Sequence, residues 1–402
     1  MARARSGKKG ANERLRAEFL SSISASYSTP EIAIVAGKGA YLKDADGKTY
    51  LDFLSGIATN ALGAAHPEII SAVRKQVAKV SHISNLYAHP ENIRLATRLG
   101  EMVGDPGSRV FFCNSGAEAN EAAIKLSRLT GRREIVSMRG AFHGRTLGAL
   151  SITGQQGKRA PFLPLLGDVR FVDYDDLDGL RRAVSRRTAM VIVEPIQGEN
   201  GVVVPDSGFL RGVESIARKY GALFAVDAVQ TGMGRTGTWF GFEDEGVRPD
   251  IITLAKGLGG GLPMGAMIAT SSAPQFAPGE HGSTFGGNPI VAAAANAVID
   301  VIEKKELMAR AVTLHDYLKA SISDLPTIAE VRGRGLLIGI VLTAPKAKEI
   351  VARLQQEGVL ANAATDFVIR LAPPLVITTK EIDRFVTALK KTLNSKASGS
   401  RS

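Results

Sequence analysis

Three short apolar runs, each leading into a loop of ionisable and small residues, decide the fold. Ala189-Met190-Val191-Ile192-Val193 runs into Glu194-Pro195-Ile196-Gln197-Gly198-Glu199. Ala222-Leu223-Phe224-Ala225-Val226 runs into Asp227-Ala228-Val229-Gln230. Ile251-Ile252-Thr253-Leu254-Ala255 runs into Lys256-Gly257-Leu258-Gly259-Gly260-Gly261. Each run is too short for a buried helix and rich in residues that favour strands. Between the first two, Phe209–Tyr220 has helical spacing. Working outward, further strands are predicted over Arg109–Cys113, Glu134–Met138, Val169–Tyr174 and Met264–Ala269. From about residue 105, then, strands alternate with helices, which predicts an α/β fold built on a large, mostly parallel sheet. Ligands of open α/β sheets bind beyond the carboxyl ends of the strands. That rule gathers Glu194, Asp227 and Lys256 along one sheet edge.

After Asn288-Pro289 comes an Ala-rich helical stretch and then a helix over Leu307–Leu325. Strand, helix, strand and helix follow over Gly335–Leu342, Lys346–Glu357, Val368–Leu371 and Thr379–Leu393. The organisation this predicts is a large domain over 57–292 and a smaller α/β domain over 293–393. Residues 17–56 pack beside the smaller domain, and disordered tails are expected over 1–16 and 394–402.

The net charge of +11 suggests nucleic-acid binding until it is mapped. Residues 1–16 carry +5 and residues 391–402 carry +3, which leaves +3 for the body. The excess therefore sits in small-residue, polar tails that read as solvated. The Arg-rich start lacks the amphipathic repeat of a transit peptide. No interleaved aromatic and basic stripe marks a nucleic-acid surface. No apolar run reaches the length of a membrane span, and the start lacks the apolar stretch of a secretory signal. The six histidines show no metal-ligand spacing, so no metal site is predicted. One cysteine, Cys113, fits a reducing cytoplasm, and its setting in Val110-Phe111-Phe112-Cys113 reads as a buried small hydrophobe.

Two segments carry chemistry on their own terms. In Asn114-Ser115-Gly116-Ala117-Glu118, Ser115 and Glu118 have capping-box spacing. Ala119, Ala122, Ala123 and Leu126 then share one helical face. Such a helix start exposes backbone N–H groups and suits a phosphate, although most capped helices bind nothing. It is not a P-loop. Lys256 follows an apolar run and precedes four glycines in five residues. A lysine so placed can be desolvated, which lowers its pKa and makes it a nucleophile. Read alone, it is equally a loop lysine.

The motifs are more specific together. Asn-Ser-Gly-Ala-Glu-Ala-Asn-Glu-Ala (114–122), Phe-His-Gly-Arg-Thr (142–146), Glu-Pro-Ile-Gln-Gly-Glu (194–199), Asp-Ala-Val-Gln-Thr-Gly-Met-Gly-Arg-Thr-Gly (227–237), Leu-Ala-Lys-Gly-Leu-Gly-Gly-Gly (254–261) and Gly-Ser-Thr-Phe-Gly-Gly-Asn-Pro (282–289) occur in this order. From about Tyr27 to Leu389 the chain resembles the class III aminotransferases of fold type I, and most of all their acetylornithine branch.

The resemblance implies pyridoxal 5′-phosphate as cofactor, held on Lys256 as an aldimine, with Asp227 paired to the pyridine nitrogen. It implies Gln230 near the ring's phenolic oxygen, Phe142 and Val229 on the two ring faces, and the N–H groups of Gly116 and Ala117, after Ser115, on the phosphate. It implies that Thr284, with Ser283 beside it, reaches the phosphate and substrate of a neighbouring subunit in a homodimer with shared sites. Arg145 would hold the carboxylate distal to the reacting amine. Arg370 would hold the α-carboxylate of 2-oxoglutarate or glutamate, and Glu199 would pair with Arg370 when no α-carboxylate lies there. The implied reaction moves the δ-amine of N-acetylornithine to 2-oxoglutarate, a step of arginine biosynthesis.

Ornithine δ-aminotransferases of this family place a tyrosine where this chain has Ile57, which offers a free α-ammonium no partner. That favours an acylated donor over ornithine, with 4-aminobutyrate and succinylornithine as alternatives. Tyr27 is shared by several branches and does not discriminate. Two positions depart from the family. Ala228 stands where a glutamate is usual, and Ala64 where a histidine is usual. The expectation for Ala228 is lost support around Asp227, modestly restored by Ala228→Glu; the alternative is that its surroundings suit alanine, so that a glutamate there is buried without a partner and destabilises the fold.

Overall fold

A computed structural model describes residues 10–394. Its central sheet contains seven strands: β4 (Arg109–Cys113), β5 (Glu134–Met138), β6 (Val169–Val172), β7 (Thr188–Val193), β8 (Leu223–Asp227), β9 (Ile251–Leu254) and β10 (Gly265–Ala269). Their spatial order is β4-β10-β9-β8-β7-β5-β6. The run from β9 through β8, β7 and β5 to β6 is parallel, and β10 is antiparallel to both β9 and β4. Because β10 reverses direction between them, β4 points the same way as β9. The carboxyl ends of β4, β5, β7, β8 and β9 therefore open on one edge.

Helices cover the sheet for reasons visible in their residues. In the helix Gly116–Arg128, Ala119, Ala122, Ala123 and Leu126 are fully buried, and their small size lets the helix lie close to the sheet. Phe209–Tyr220 stops at Gly221, which takes the left-handed conformation (φ 65°) that ends helices. The Ala-rich helix Pro289–Lys304 starts with proline at its first position and Asn288 as cap, whose side chain accepts from Ile290 and Val291 N–H.

Near the N-terminus, β1 (Ile34–Lys38), β2 (Tyr41–Asp44) and β3 (Thr49–Asp52) form an antiparallel meander. Beyond the central sheet come β11 (Ile328–Arg334), β12 (Leu337–Leu342), β13 (Val359–Leu360), β14 (Asn362–Ala363) and β15 (Val368–Leu371). β13 joins the first sheet parallel to β3, and the rest form a sheet of order β11-β12-β15-β14. Phe53 stacks on Phe385 with centroids 4.7 Å apart, so the two ends of the chain share a core.

The sequence reading missed β1–β3, β11, β13 and β14. These are short or of mixed polarity and owe their pairing to distant partners. A second correction concerns the N-terminal tail. Residues 11–16, expected to be disordered, lie in a helix over Ala11–Ser22. That helix has no cap of its own. Asp46 Oδ1 accepts from Ala11 N–H at 2.6 Å, and Asn12 bonds Asp44 at 3.0 Å and Ala33 N–H at 2.9 Å. These partners lie outside any local pattern. Asn394, also expected in a tail, ends the helix Thr379–Asn394, and residues 1–9 and 395–402 of the expected tails lie outside the described residues. Among the described residues no helix is long and apolar enough to cross a membrane.

Candidate active site

The strand ends enclose a cavity of about 430 Å³. From β4 come Asn114, Ser115, Gly116 and Ala117; from β5, Phe142, His143 and Arg145; from β7, Glu194; from β8, Asp227, Val229 and Gln230; from β9, Lys256. The sheet thus brings together nine of the residues singled out in the sequence.

Lys256 sits immediately after β9 in a left-handed conformation (φ 43°), unusual for a residue with a side chain and held by the short 3-10 turn Lys256–Gly259. Desolvation lowers its amine pKa below the usual lysine value, against the opposing pull of Glu199 and Asp227. A larger fraction of its amine is therefore neutral and nucleophilic near neutral pH.

Asp227, 3% exposed, is fixed through both oxygens. Oδ1 accepts from Val229 N–H at 3.0 Å. Oδ2 meets Asn120 Nδ2 at 2.8 Å and His143 Nδ1 at 2.7 Å. Asn120 is itself fixed by donating to the His143 carbonyl at 2.7 Å and accepting from Thr253 Oγ1 at 2.9 Å. The sequence reading overlooked Asn120 and His143. Their signal was present, since each lies inside a quoted motif, but only the fold carries them to Asp227. Glu194, also unassigned, is buried and accepts from Phe142 N–H at 3.1 Å. Burial and then the nearby Asp227 carboxylate push its pKa well up, which favours the neutral acid.

The helix start is built as the spacing predicted, with one difference. Ser115 Oγ accepts from Glu118 N–H at 3.2 Å. The Glu118 carboxylate reaches back to Asn114 N–H at 2.6 Å, one residue earlier than a standard capping box. The first-turn N–H groups of Gly116 and Ala117 have no intrahelical acceptor and line the cavity. A Cβ on Gly116 would fall 2.8 Å from Val229 Cγ1, so a glycine lets Val229 close in.

Arg370, on β15 and 2% exposed, reaches the same region from the C-terminal sheet. Its Nη1 donates to Glu199 Oε1 at 2.5 Å and to Gln230 Oε1 at 3.1 Å, and Nη2 to Asn362 Oδ1 at 2.9 Å. Arg370 Nε is buried without a partner. For Glu199, burial would raise the pKa, but the Arg370 charge and hydrogen bond prevail and hold it below the ordinary glutamate value. Gly198 leaves room for Gln230, since a Cβ there would fall 2.1 Å from Gln230 Oε1.

Besides Glu199 and Arg370, which meet Gln230 beside it, four singled-out residues do not line the cavity. Tyr27 is 76% exposed and Ile57 41% exposed, the latter in a left-handed turn, Ser55 to Ala58, whose start is tied by Asp52 Oδ1 to Leu54 and Ser55 N–H. Thr284 is exposed. Ser283 Oγ accepts from Gly286 N–H at 3.1 Å and lies 3.4 Å from Asn114 Nδ2.

For Ala228 the surroundings favour the second of the two readings. Ala228 is fully buried in the apolar core. Its N–H donates to Thr253 O at 2.9 Å, and its carbonyl accepts from Gly232 N–H at 2.8 Å. Asp227 is held by His143, Asn120 and the Val229 N–H without it. Ala64, the other departure, pairs its backbone with Gly39, at 2.8 Å in both directions, and lines no part of the cavity.

Residues 22–393 match the family described as aminotransferase class-III. The acetylornithine aminotransferase of Mycobacterium tuberculosis is 54% identical over 372 residues, 92% of this chain and 93% of the relative. That of Streptomyces coelicolor is 50% identical over 390 residues, 96% of this chain and 97% of the relative. Among solved structures, the ornithine aminotransferase of Toxoplasma gondii superposes with a TM-score of 0.90 at 32% identity, covering 96% of this chain and 94% of its own. The N-acetylornithine aminotransferase of Stenotrophomonas maltophilia gives 0.78 at 34%, covering 90% and 95%. With the cavity assembled from five of the six motifs and the match running almost end to end, the chain belongs to the class III aminotransferases.

Proposed function

We propose that this chain transfers the δ-amino group of N2-acetyl-L-ornithine to 2-oxoglutarate, giving N-acetyl-L-glutamate 5-semialdehyde and L-glutamate, with Lys256 as the residue that carries pyridoxal 5′-phosphate. The observation that carries this reading is the convergence, at one sheet edge, of a desolvated lysine, a fixed carboxylate and an anion-receptive helix start. The donor set fits the cofactor. The Gly116 and Ala117 N–H groups suit its phosphate, Asp227 suits a protonated ring nitrogen, and Phe142 and Val229 supply apolar walls. When bound, pyridoxal phosphate supplies an electron sink next to the carbon that exchanges its amine.

The chain's own groups do the rest. The neutral Lys256 Nζ takes a proton from the δ-carbon of the donor, and returns one to C2 of the 2-oxoglutarate skeleton in the second half. Asn120 and His143 keep the Asp227 carboxylate aimed. Arg145 orients the distal carboxylate of each substrate through its planar fork. The Glu199–Arg370 pair serves both halves. Closed, it presents no free cation to a donor without a carboxylate there. Opened, it frees Arg370 for the α-carboxylate of 2-oxoglutarate.

The same proposal includes a cytoplasmic homodimer in which Thr284 and Ser283 complete the neighbour's site. Its support is an apolar surface: Leu86 is 85%, Tyr87 69% and Phe285 57% exposed. The two segments touch, with Asn85 Nδ2 donating to Gly286 O at 2.9 Å and the His82 and Phe285 rings 4.9 Å apart. Exposed large side chains gathered in one place mark an interaction surface.

A donor panel with 2-oxoglutarate tests the substrate: N-acetylornithine is expected to exceed succinylornithine, ornithine and 4-aminobutyrate in kcat/KM. Borohydride reduction and tryptic mapping test the lysine: the pyridoxyl label is expected on Lys256. Label on another lysine, or preference for 4-aminobutyrate, overturns the corresponding part.

A further inference from the structure

The ring of Phe142 carries two cations. The Arg145 guanidinium carbon is 5.6 Å from its centroid and the Lys158 amine 4.8 Å. Among the described residues neither cation makes a salt bridge. Lys158 is not swinging in solvent. It is half-buried in the short helix Gln156–Arg159, and its amine donates to Gln155 Oε1, while Gln155 Nε2 donates to Gly140 O at 2.9 Å. Burial lowers the amine's pKa, and the charges of Glu199, Arg145, Arg370 and Glu194 act on it in turn, so it lies close to the substrate arginines and to two carboxylates. Two like charges held over one ring, with no carboxylate bonded to either among the described residues, repel each other and draw an anion between them.

We propose that Lys158 is a substrate-binding and specificity residue, which with Arg145 forms a two-cation clamp at Phe142 for the carboxylate remote from the reacting amine. The inference rests on the reading of Arg145 given above. A carboxylate has about four lone-pair sites. The Arg145 fork uses two, and the Lys158 ammonium supplies a further donor. The clamp also selects the neighbour of that carboxylate. In free ornithine an α-ammonium would stand beside it, against two cations. N-acylation removes that charge, and the γ-carboxylate of 2-oxoglutarate has no such neighbour. The clamp therefore favours acylated donors and dicarboxylates by attraction and rejects ornithine by repulsion.

The test uses the holoenzyme with Lys158→Ala, Lys158→Gln and Lys158→Glu. Three quantities are measured: kcat and KM for N-acetylornithine and ornithine, calorimetric binding of glutarate as an unreactive dicarboxylate, and thermal midpoints. Loss of one charged contact predicts that Lys158→Ala raises the KM for N-acetylornithine and the Kd for glutarate about tenfold, with kcat little changed. The KM for ornithine is expected to move much less, so selectivity falls, and Lys158→Glu lowers it further. Lys158→Gln keeps a group able to bond Gln155 and loses only the charge. It should match Lys158→Ala in binding while retaining the wild-type midpoint. Unchanged glutarate binding in both neutral variants overturns the clamp. So does equal loss on all donors with a fallen midpoint, because Lys158 is then only a latch for its helix. Arg145→Ala separates the two readings. If it leaves glutarate binding intact, the role of Arg145 fails and the clamp with it. If it weakens glutarate while the Lys158 variants do not, only the clamp fails.

Discussion

Ala228 and Arg370 carry opposite lessons. The sequence made Ala228 a missing support, and the fold makes it a core residue with both backbone groups bonded and no exposure. A glutamate there has no polar partner and must displace packed apolar atoms, so Ala228→Glu should cost about 3 kcal/mol or more. A thermal melt is expected to show a clearly lower midpoint with no gain in cofactor affinity, and an unchanged midpoint with tighter cofactor binding would restore the first expectation. Arg370 by contrast was singled out through the resemblance alone, and it is among the largest fully buried side chains. Its neutralisation by Glu199 already meets the needs of the donor half-reaction. Arg370→Ala should therefore slow the 2-oxoglutarate half on the order of a hundredfold, the scale of a lost bidentate charged contact, and the N-acetylornithine half far less. Single-turnover absorbance of each half separates them, and equal damage would contradict the assignment.

The helix Gly116–Arg128 ties local sequence to the site. Its cap, Ser115, and its apolar face, Ala119 to Leu126, were readable because helix capping and 3.6-residue periodicity are local properties. What was not readable is that Glu118 turns back to Asn114 N–H rather than to the cap, or that Asn120 on the same helix reaches Asp227. Ser115→Ala removes the acceptor for Glu118 N–H and should cost about 1 kcal/mol of stability. Because the same turn presents the Gly116 and Ala117 N–H groups, cofactor affinity should fall with it. Melts with and without added pyridoxal phosphate provide the check. If the change lowers stability but leaves cofactor affinity at the wild-type level, the turn is structural and does not bind phosphate.

Across the whole molecule, the cavity collects strand ends from a single sheet, while Tyr27, Ile57 and Thr284 remain on the surface of one chain. If a second copy completes the site, two crippled variants should rescue each other. Lys256→Ala and Thr284→Ala homodimers are each expected to have little activity. After subunit exchange, a hybrid contains one site with both native residues. Random pairing should then return about a quarter of wild-type activity, since half the dimers are hybrids with one intact site each. Sedimentation should show twice the 42.5 kDa of one chain. A monomer, or no rescue on exchange, would remove Thr284 from the shared site.

The sequence by itself determined whatever is written in neighbouring residues. Short apolar runs became the central strands almost residue for residue, Phe209–Tyr220 formed its helix, and the ordered motifs named the chemistry around Lys256 and Asp227. It could not determine contacts across long separations, because hydrogen-bond geometry is absent from a linear pattern. Only the tertiary structure seated His143 and Asn120 on Asp227, closed Glu199 onto Arg370, capped the first helix with Asp46, and set Arg145 and Lys158 over one ring. In each case the partners lie on different elements, and the packing of the sheets sets the distance between them.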